Sequence, residues 1–284
     1  MLSLLLLACT GSPDPVQAPP TLTFSAIPDQ NTARLKERFD PVAEHLSEAL
    51  GVPVEYVPAT DYTASVEMFR GGDIQLAWFG GLTGVQARSM VPGAHAIVQG
   101  IEDPQYRSYF IAHDSTGLAP GEDFPEAIGG LTFSFGSESS TSGRLMPEHF
   151  IRQHTGKAPA DFFTVSHSFS GAHDKTAKLV ESGQVQAGVL SYTTWDAMVA
   201  DGRIDTDKAR IIWTTPTYAD YNFTAHPDLE ARYGAGFTDR LAAALIGITD
   251  PDLLAAFQRS GLIAAQDTDY AEIQAVALEL DMVR

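Results

Sequence analysis

The residues best suited to chemistry lie in one short stretch, Phe135-Gly136-Ser137-Glu138-Ser139-Ser140-Thr141-Ser142-Gly143-Arg144-Leu145-Met146-Pro147. An apolar run over 131–135 leads into small hydroxyl residues, and a helix is expected from there to about His154. The first turn of a helix carries N–H groups without intrahelical partners, and the helix dipole adds positive potential there. Ser140, Thr141 and Ser142 add hydroxyl donors on the same side. This assembly suits an anion with several oxygens around one centre. Hydrogen bonds to an ionised acceptor are worth roughly 1.5–3 kcal/mol each, so about four or five support micromolar binding after ordering costs. A plain Ser-rich helix cap has the same composition, so the turn alone does not decide. The stretch lacks the Gly-Lys-Ser/Thr ending of a phosphate loop and the Gly-x-Ser-x-Gly of a nucleophile elbow.

The elements that must position this turn alternate between strand and helix. Apolar runs at 22–27, 52–57, 74–79, 95–101, 106–112, 131–135, 162–165, 185–190 and 210–214 read as strands. Leu35, Phe39, Val42, Leu46 and Leu50 recur at near-helical spacing, with Asp40-Pro41 read as an N-cap and first helical residue and Gly51 as the stop. Asp61 caps a helix ending at Gly71-Gly72, and further helices are expected over 172–182, up to Gly202, and over 237–246, 250–258 and 271–280. Such alternation predicts mostly parallel sheets covered on both faces, in two α/β lobes with a ligand between them at strand ends and helix starts. The chain carries no internal sequence repeat.

Composition narrows the function. The 284 residues are 44% hydrophobic and 19% charged, as in an ordered globular protein of two lobes. The net charge of -18 argues against binding nucleic acid, which needs clustered Lys and Arg. It does not exclude an anion held by buried backbone N–H groups, because salt screens exposed charge over about 8–10 Å. No apolar run near ~18 residues follows the first few positions, so the body is expected to be soluble. His149 and His154 are five apart, not the spacing of a helical zinc pair, and no metal or cofactor is expected. The single cysteine excludes an internal disulfide framework. That residue ends the apolar opening Leu6-Leu7-Ala8-Cys9, which resembles a bacterial lipoprotein cleavage box, although no Lys or Arg precedes it. Cys9 is therefore the expected lipidation site, and 10–20, rich in Pro, Ser and Gly, the expected tether.

Several segments together resemble a known family. They are Thr60-Asp61-Tyr62, Leu76-Ala77-Trp78-Phe79-Gly80, Ser140-Thr141-Ser142-Gly143 with Pro147, and Ser170-Gly171-Ala172-His173-Asp174. In this order they are similar to the phosphonate, phosphite and phosphate-binding proteins of ATP-driven importers, over nearly the whole chain after Thr21. More narrowly, Ala26-Ile27-Pro28-Asp29, Phe135-Gly136-Ser137 before the hydroxyl turn, and Trp213-Thr214-Thr215-Pro216 with Asp220-Tyr221-Asn222 look like a branch assigned to selenate binding. The resemblance implies a periplasmic-binding-protein fold of type II, with two mixed sheets flanked by helices and joined by two hinge crossings. It implies that Ser140, Thr141 and Ser142 hold an oxyanion, that Tyr62 donates its hydroxyl, that His173 faces the anion from the second lobe, and that Asp220 is an acid near the hinge. Trp78, Phe79 and Tyr221 are further lining candidates. Phe79 stands where the family has a second tyrosine, and Thr193 where it has a glutamate for the amino group of aminoethylphosphonate, which points to a smaller ligand.

The expected organisation is a signal and tether over 1–20, lobe I over 21–108 and 217–284, and lobe II over 109–216, with crossing strands near Tyr109–His113 and Ile211–Pro216. The expected function is the extracytoplasmic, lipid-anchored, monomeric receptor of an ABC permease and ATPase complex, capturing phosphonate, phosphite, phosphate or selenate, with no catalysis. Asp220 bears on the choice: an ionised carboxylate repels an anion unless a proton lies between them. Same-fold alternatives are a receptor for a sulfonate or another small organic solute, and a sensor domain. A serine hydrolase working through the hydroxyl turn would require ester turnover.

Overall fold

The computed structural model describes residues 19–283; the lipidation site expected at Cys9 and most of the tether lie outside them. Among the described residues the strands are β1 (Leu22–Ala26), β2 (Val54–Tyr56), β3 (Leu76–Phe79), β4 (His95–Gly100), β5 (Ser108–His113), β6 (Phe133–Phe135), β7 (Ser168–Phe169), β8 (Ala187–Ser191), β9 (Ala209–Thr214), β10 (Asn222–Ala225) and β11 (Leu262–Ala264). The helices are α1 (Thr32–Leu50), α2 (Tyr62–Gly71), α3 (Gly81–Met90), α4 (Met146–Thr155), α5 (Pro159–Phe162), α6 (His173–Glu181), α7 (Tyr192–Ala200), α8 (Leu229–Tyr233), α9 (Phe237–Ile246), α10 (Pro251–Leu254) and α11 (Ala271–Glu279).

Two sheets form, ordered β11-β4-β10-β3-β1-β2 and β7-β6-β8-β5-β9. Both are mixed. In the first, β1 pairs parallel to β2 and β3, while β10 runs antiparallel between β3 and β4. In the second, β6 pairs parallel to β7 and β8, while β5 runs antiparallel between β8 and β9. The same plan thus occurs twice without a repeat in the sequence. Strands β3, β8 and β10 are buried along their whole length, as expected of strands covered on both faces.

The chain passes between the sheets twice, over 101–107 and 215–221. The expectation that Tyr109–His113 and Ile211–Pro216 are the crossings is corrected here: β5 and β9 pair with each other inside the second sheet. The crossings are tied together instead by Tyr106 and Tyr218, which exchange two backbone hydrogen bonds of 2.9 Å, and by the Asp220 N–H, which donates to the Asp103 carbonyl at 3.1 Å.

Three local expectations also change. Helix α1 starts nine residues before Pro41, capped by Asn31, whose side chain accepts from the Ala33 and Arg34 N–H groups. Asp40 pairs with Lys36 one turn back. Burial of Leu35, Phe39, Val42 and Leu46 on one face carries the helix past the proline, which interior proline would otherwise interrupt. No strand forms over 162–165; Phe163 stacks on Phe133 at 4.6 Å between centroids, and the edge strand comes later as β7. The helix expected over 250–258 stops at Leu254, and Gln258 adopts a left-handed φ of 55°.

Candidate functional site

The hydroxyl turn does not open an α-helix directly. Residues Thr141–Leu145 form one π-turn, with the Leu145 N–H on the Ser140 carbonyl at 2.9 Å and the Met146 N–H on the Thr141 carbonyl. The cause lies in residues nearby. Pro147 has no N–H to give the Gly143 carbonyl, and that carbonyl accepts from the Gly136 N–H at 2.8 Å instead. The Ser142 carbonyl accepts from Ser108 Oγ at 2.7 Å. With both carbonyls diverted, the turn widens before α4 takes over. Gly143 is required by close approach: a Cβ there would lie 2.9 Å from Ser140 Oγ and 3.0 Å from the Gly136 Cα.

The turn is buried and faces the other half of the molecule. Ser140, Thr141 and Ser142 are at most 2% exposed. Ser140 Oγ accepts from the Gly143 N–H at 2.9 Å, which leaves its own proton to donate. Among the described residues, the Thr141 and Ser142 N–H groups have no partner. Thr141 Oγ1 accepts from the Leu82 N–H of α3 at 2.9 Å, which bridges the two sheets' layers. The adjoining Gly81 N–H donates to Asp220 Oδ1 at 2.9 Å, so the start of α3 orients one side chain from the turn and one from the second crossing.

Two polar atoms converge here without partners. Tyr62 is 1% exposed at the start of α2, and its hydroxyl, beside Ser140, completes no hydrogen bond. Asp220 is 1% exposed, and its Oδ2 is likewise unpartnered. Burying either group bare costs roughly 1–3 kcal/mol, more for a charge, so both atoms ask for a further partner. Burial raises the Asp220 carboxyl to about 7, against the pull of hydrogen bonds from Gly81 and Thr141. Burial also pushes the Tyr62 phenol well up, so it stays a protonated donor.

His173 opens α6 in the second half. Its Nδ1 accepts from the Ser191 N–H at 3.3 Å, which places the ring proton on Nε2, 3.4 Å from Ser142 Oγ. Burial lowers its pKa to about 3, so it offers an N–H and no charge. Its backbone N–H donates to the Asp29 carbonyl at 2.9 Å, and the Asn31 N–H donates to Asp174 Oδ2 at 3.2 Å, a second pair of contacts across the gap.

Of the remaining candidates, Tyr221 and Trp78 pack together behind the turn and Phe79 lies in the core. Tyr221 donates its hydroxyl to Asp29 Oδ2 at 2.7 Å, so the ring and not the hydroxyl is free to face the gap. Trp78 packs on Tyr221, Phe223 and Phe257. Phe79 packs edge-on against Phe69 in the core. Thr193 Oγ1 is 2.7 Å from the Tyr106 hydroxyl. Sequence reasoning missed Tyr106, Ser108, Asp103 and Arg259. Arg259 lies 156 positions from Asp103, its partner in a buried ion pair, and no short-range pattern links them. Among the described residues, no helix is long and apolar enough to cross a membrane.

Comparison with known proteins gives four findings. The family model described as the periplasmic substrate-binding protein of phosphonate ABC transporters matches residues 24–270. A probable phosphite-binding protein of an ABC transporter, PhnD1 from Prochlorococcus marinus, is 37% identical over 273 residues, covering 94% of this chain and 92% of that protein. Its structure in complex with methylphosphonate superimposes with a TM-score of 0.87 at 36% identity, covering 93% of this chain and 99% of the other. The phosphate-import protein PhnD of Mycolicibacterium smegmatis is 30% identical over 242 residues, 80% of this chain and 74% of that protein.

Proposed function

The chain belongs to the periplasmic phosphonate substrate-binding family of ABC transporters, and from that footing we propose that it captures a small phosphorus oxyanion, namely phosphite, phosphate or methylphosphonate, between two closing lobes. The observation that carries this reading is the pair of buried, unpartnered atoms, Tyr62 Oη and Asp220 Oδ2, that face the Ser140–Ser142 turn. An anion seated there receives the Thr141 and Ser142 N–H groups, the Ser140 and Ser142 hydroxyls, the Tyr62 hydroxyl and His173 Nε2–H. All are neutral donors, so selection rests on geometry and on one proton.

That proton lies between Asp220 Oδ2 and an anion oxygen. Phosphorus oxyanions bring it themselves near neutral pH. Sulfate and selenate do not, and need the protonated carboxyl, whose pKa is about 7. Sulfate affinity is therefore expected to fall about tenfold per pH unit above that value. The Tyr106–Thr193 contact favours a ligand with a short tail or none, since both hydroxyls are already engaged at 2.7 Å.

Titration calorimetry with phosphite, phosphate, methylphosphonate, sulfate, selenate and taurine tests the reading. Binding of a phosphorus oxyanion, lost in Ser142→Ala and Tyr62→Phe, supports it. Preference for taurine or selenate, or no binding at all, sinks it. We further propose that residues 21–108 with 217–284 move as one lobe and 109–216 as the other, and that the closed monomer docks on a permease. Cys9 is proposed to carry a lipid that anchors the chain outside the cytoplasm; Cys9→Ala then moves the protein from the membrane fraction to the soluble one.

A further inference from the structure

The site described above contains no Lys or Arg, although the proposed ligand is an anion. Among the described residues Arg259 is the one Lys or Arg side chain classed as buried, at 6% exposure. It leaves the segment between α10 and β11 and turns inward beneath the site's back wall. Its guanidinium sits 4.9 Å from the Tyr221 ring centroid, 5.1 Å from Tyr106 and 5.9 Å from Trp78. Its Nε donates to Asp103 Oδ2 at 2.9 Å and its Nη2 to Asp103 Oδ1 at 2.6 Å, a two-point pairing that fixes the plane of the group.

Asp103 belongs to the first crossing. Its carbonyl holds the N–H of Asp220 in the second crossing, and its Oδ2 also accepts from the Gly100 N–H at 2.7 Å. The backbone is shaped to admit the pair. Gln258 takes the left-handed φ of 55° just before Arg259, a conformation that costs a side-chain-bearing residue energy. At Gly100 a Cβ would lie 2.5 Å from both Arg259 Cγ and Asp103 Oδ2. Strain and a glycine at one point, around an arginine with no contact to the turn, indicate that the guanidinium has a task at that depth.

We propose that Arg259 is a positioning residue for oxyanion capture: through Asp103 it fixes the crossing that presents Asp220, and through its cation it orients the aromatic wall behind the anion. The proposal rests on the oxyanion reading above. In addition, the Arg259 charge favours the ionised form of Asp220 and Asp103 opposes it, so the two partners have opposite effects on the pH response.

The test uses the full chain and phosphite as the probe, by calorimetry from pH 6 to 9 with melting curves alongside. Arg259→Gln is expected to weaken phosphite about tenfold or more and to move the pH at which binding falls off upward. The double variant Arg259→Met with Asp103→Leu removes both buried charges together, a change that commonly leaves stability intact. The Gly100 N–H loses its Asp103 acceptor, so this variant is expected to melt somewhat lower and to bind about tenfold more weakly, with its pH response close to wild type. Arg259→Lys, which keeps the charge without the fork, should fall between. Wild-type affinity in the double variant overturns the proposal. Should that variant not fold, an Arg259→Lys protein with wild-type affinity and pH response overturns it. Wild-type chain that binds no phosphorus oxyanion overturns the functional reading itself, a result distinct from either.

Discussion

At the scale of single residues, the proposed site is built from donors that carry no charge and an acid, Asp220, whose proton is exchangeable near neutrality; burial raises Asp29, beneath Tyr221, to about 6 as well. Folding buries Asp220, so its carboxyl binds protons more tightly in the folded chain than in the unfolded one. The stability it leaves intact below about 3.8 is lost as pH rises toward about 7. Asp220→Asn is therefore expected to raise the melting temperature of the unliganded protein at pH 8 and to change it little at pH 4. An equal rise at both values would place the cause elsewhere. His173 acts in the opposite sense: its lowered pKa of about 3 means stability present above pH 6.5 is lost as pH falls through that range. Tyr62→Phe removes a buried hydroxyl that has no partner in the unliganded chain. It should leave melting unchanged or slightly raised while weakening anion binding about tenfold, measured by calorimetry.

At the scale of elements, the widened turn is held open by groups outside it. Ser108 on β5 donates to the Ser142 carbonyl and lies 2.5 Å from the Tyr218 hydroxyl. Ser108→Ala strands a buried carbonyl and should cost about 1–3 kcal/mol in denaturant unfolding, with a loss of affinity as the turn relaxes. Gly100→Ala should destabilise by at least about 1–3 kcal/mol, since its methyl meets the Arg259–Asp103 pair. Much of this level was legible in advance. The apolar runs placed β1 through β6, β8 and β9 to within two or three residues, and the hydroxyl turn was recognisable by composition. Three things were not. Helix α3 was not expected, glycine being a poor helix former and standing at positions 80, 81 and 84, yet its first amides orient Thr141 and Asp220. Strand β10 has only four residues, and its place at the centre of the first sheet depends on pairing with β3 and β4 far away in sequence. The π-turn depends on two carbonyls finding partners at Gly136 and Ser108, which no local pattern announces.

At the scale of the whole molecule, the hydrogen bonds between the two halves include Leu82 to Thr141, Asp29 to His173, Asn31 to Asp174 and Tyr106 to Thr193, and α11 packs on α4. None is an ion pair, so closure is expected to depend weakly on salt while binding of the anion selects it. Small-angle scattering should show compaction on adding phosphite, and Asp174→Ala should lower affinity modestly without touching the ligand. Scattering curves that coincide with and without ligand would rule out a closing motion.

The repeated sheet plan has an outcome for biogenesis. Every strand of the second sheet lies in one unbroken stretch from Ser108 to Thr214, whereas the first sheet waits for β10, the strand that joins β3 to β4. During vectorial synthesis the downstream-encoded half can mature while the upstream half is still a split, unfinished scaffold. A chain truncated after residue 217 should therefore display a protease-resistant core that begins near residue 105, with everything ahead of it open to digestion.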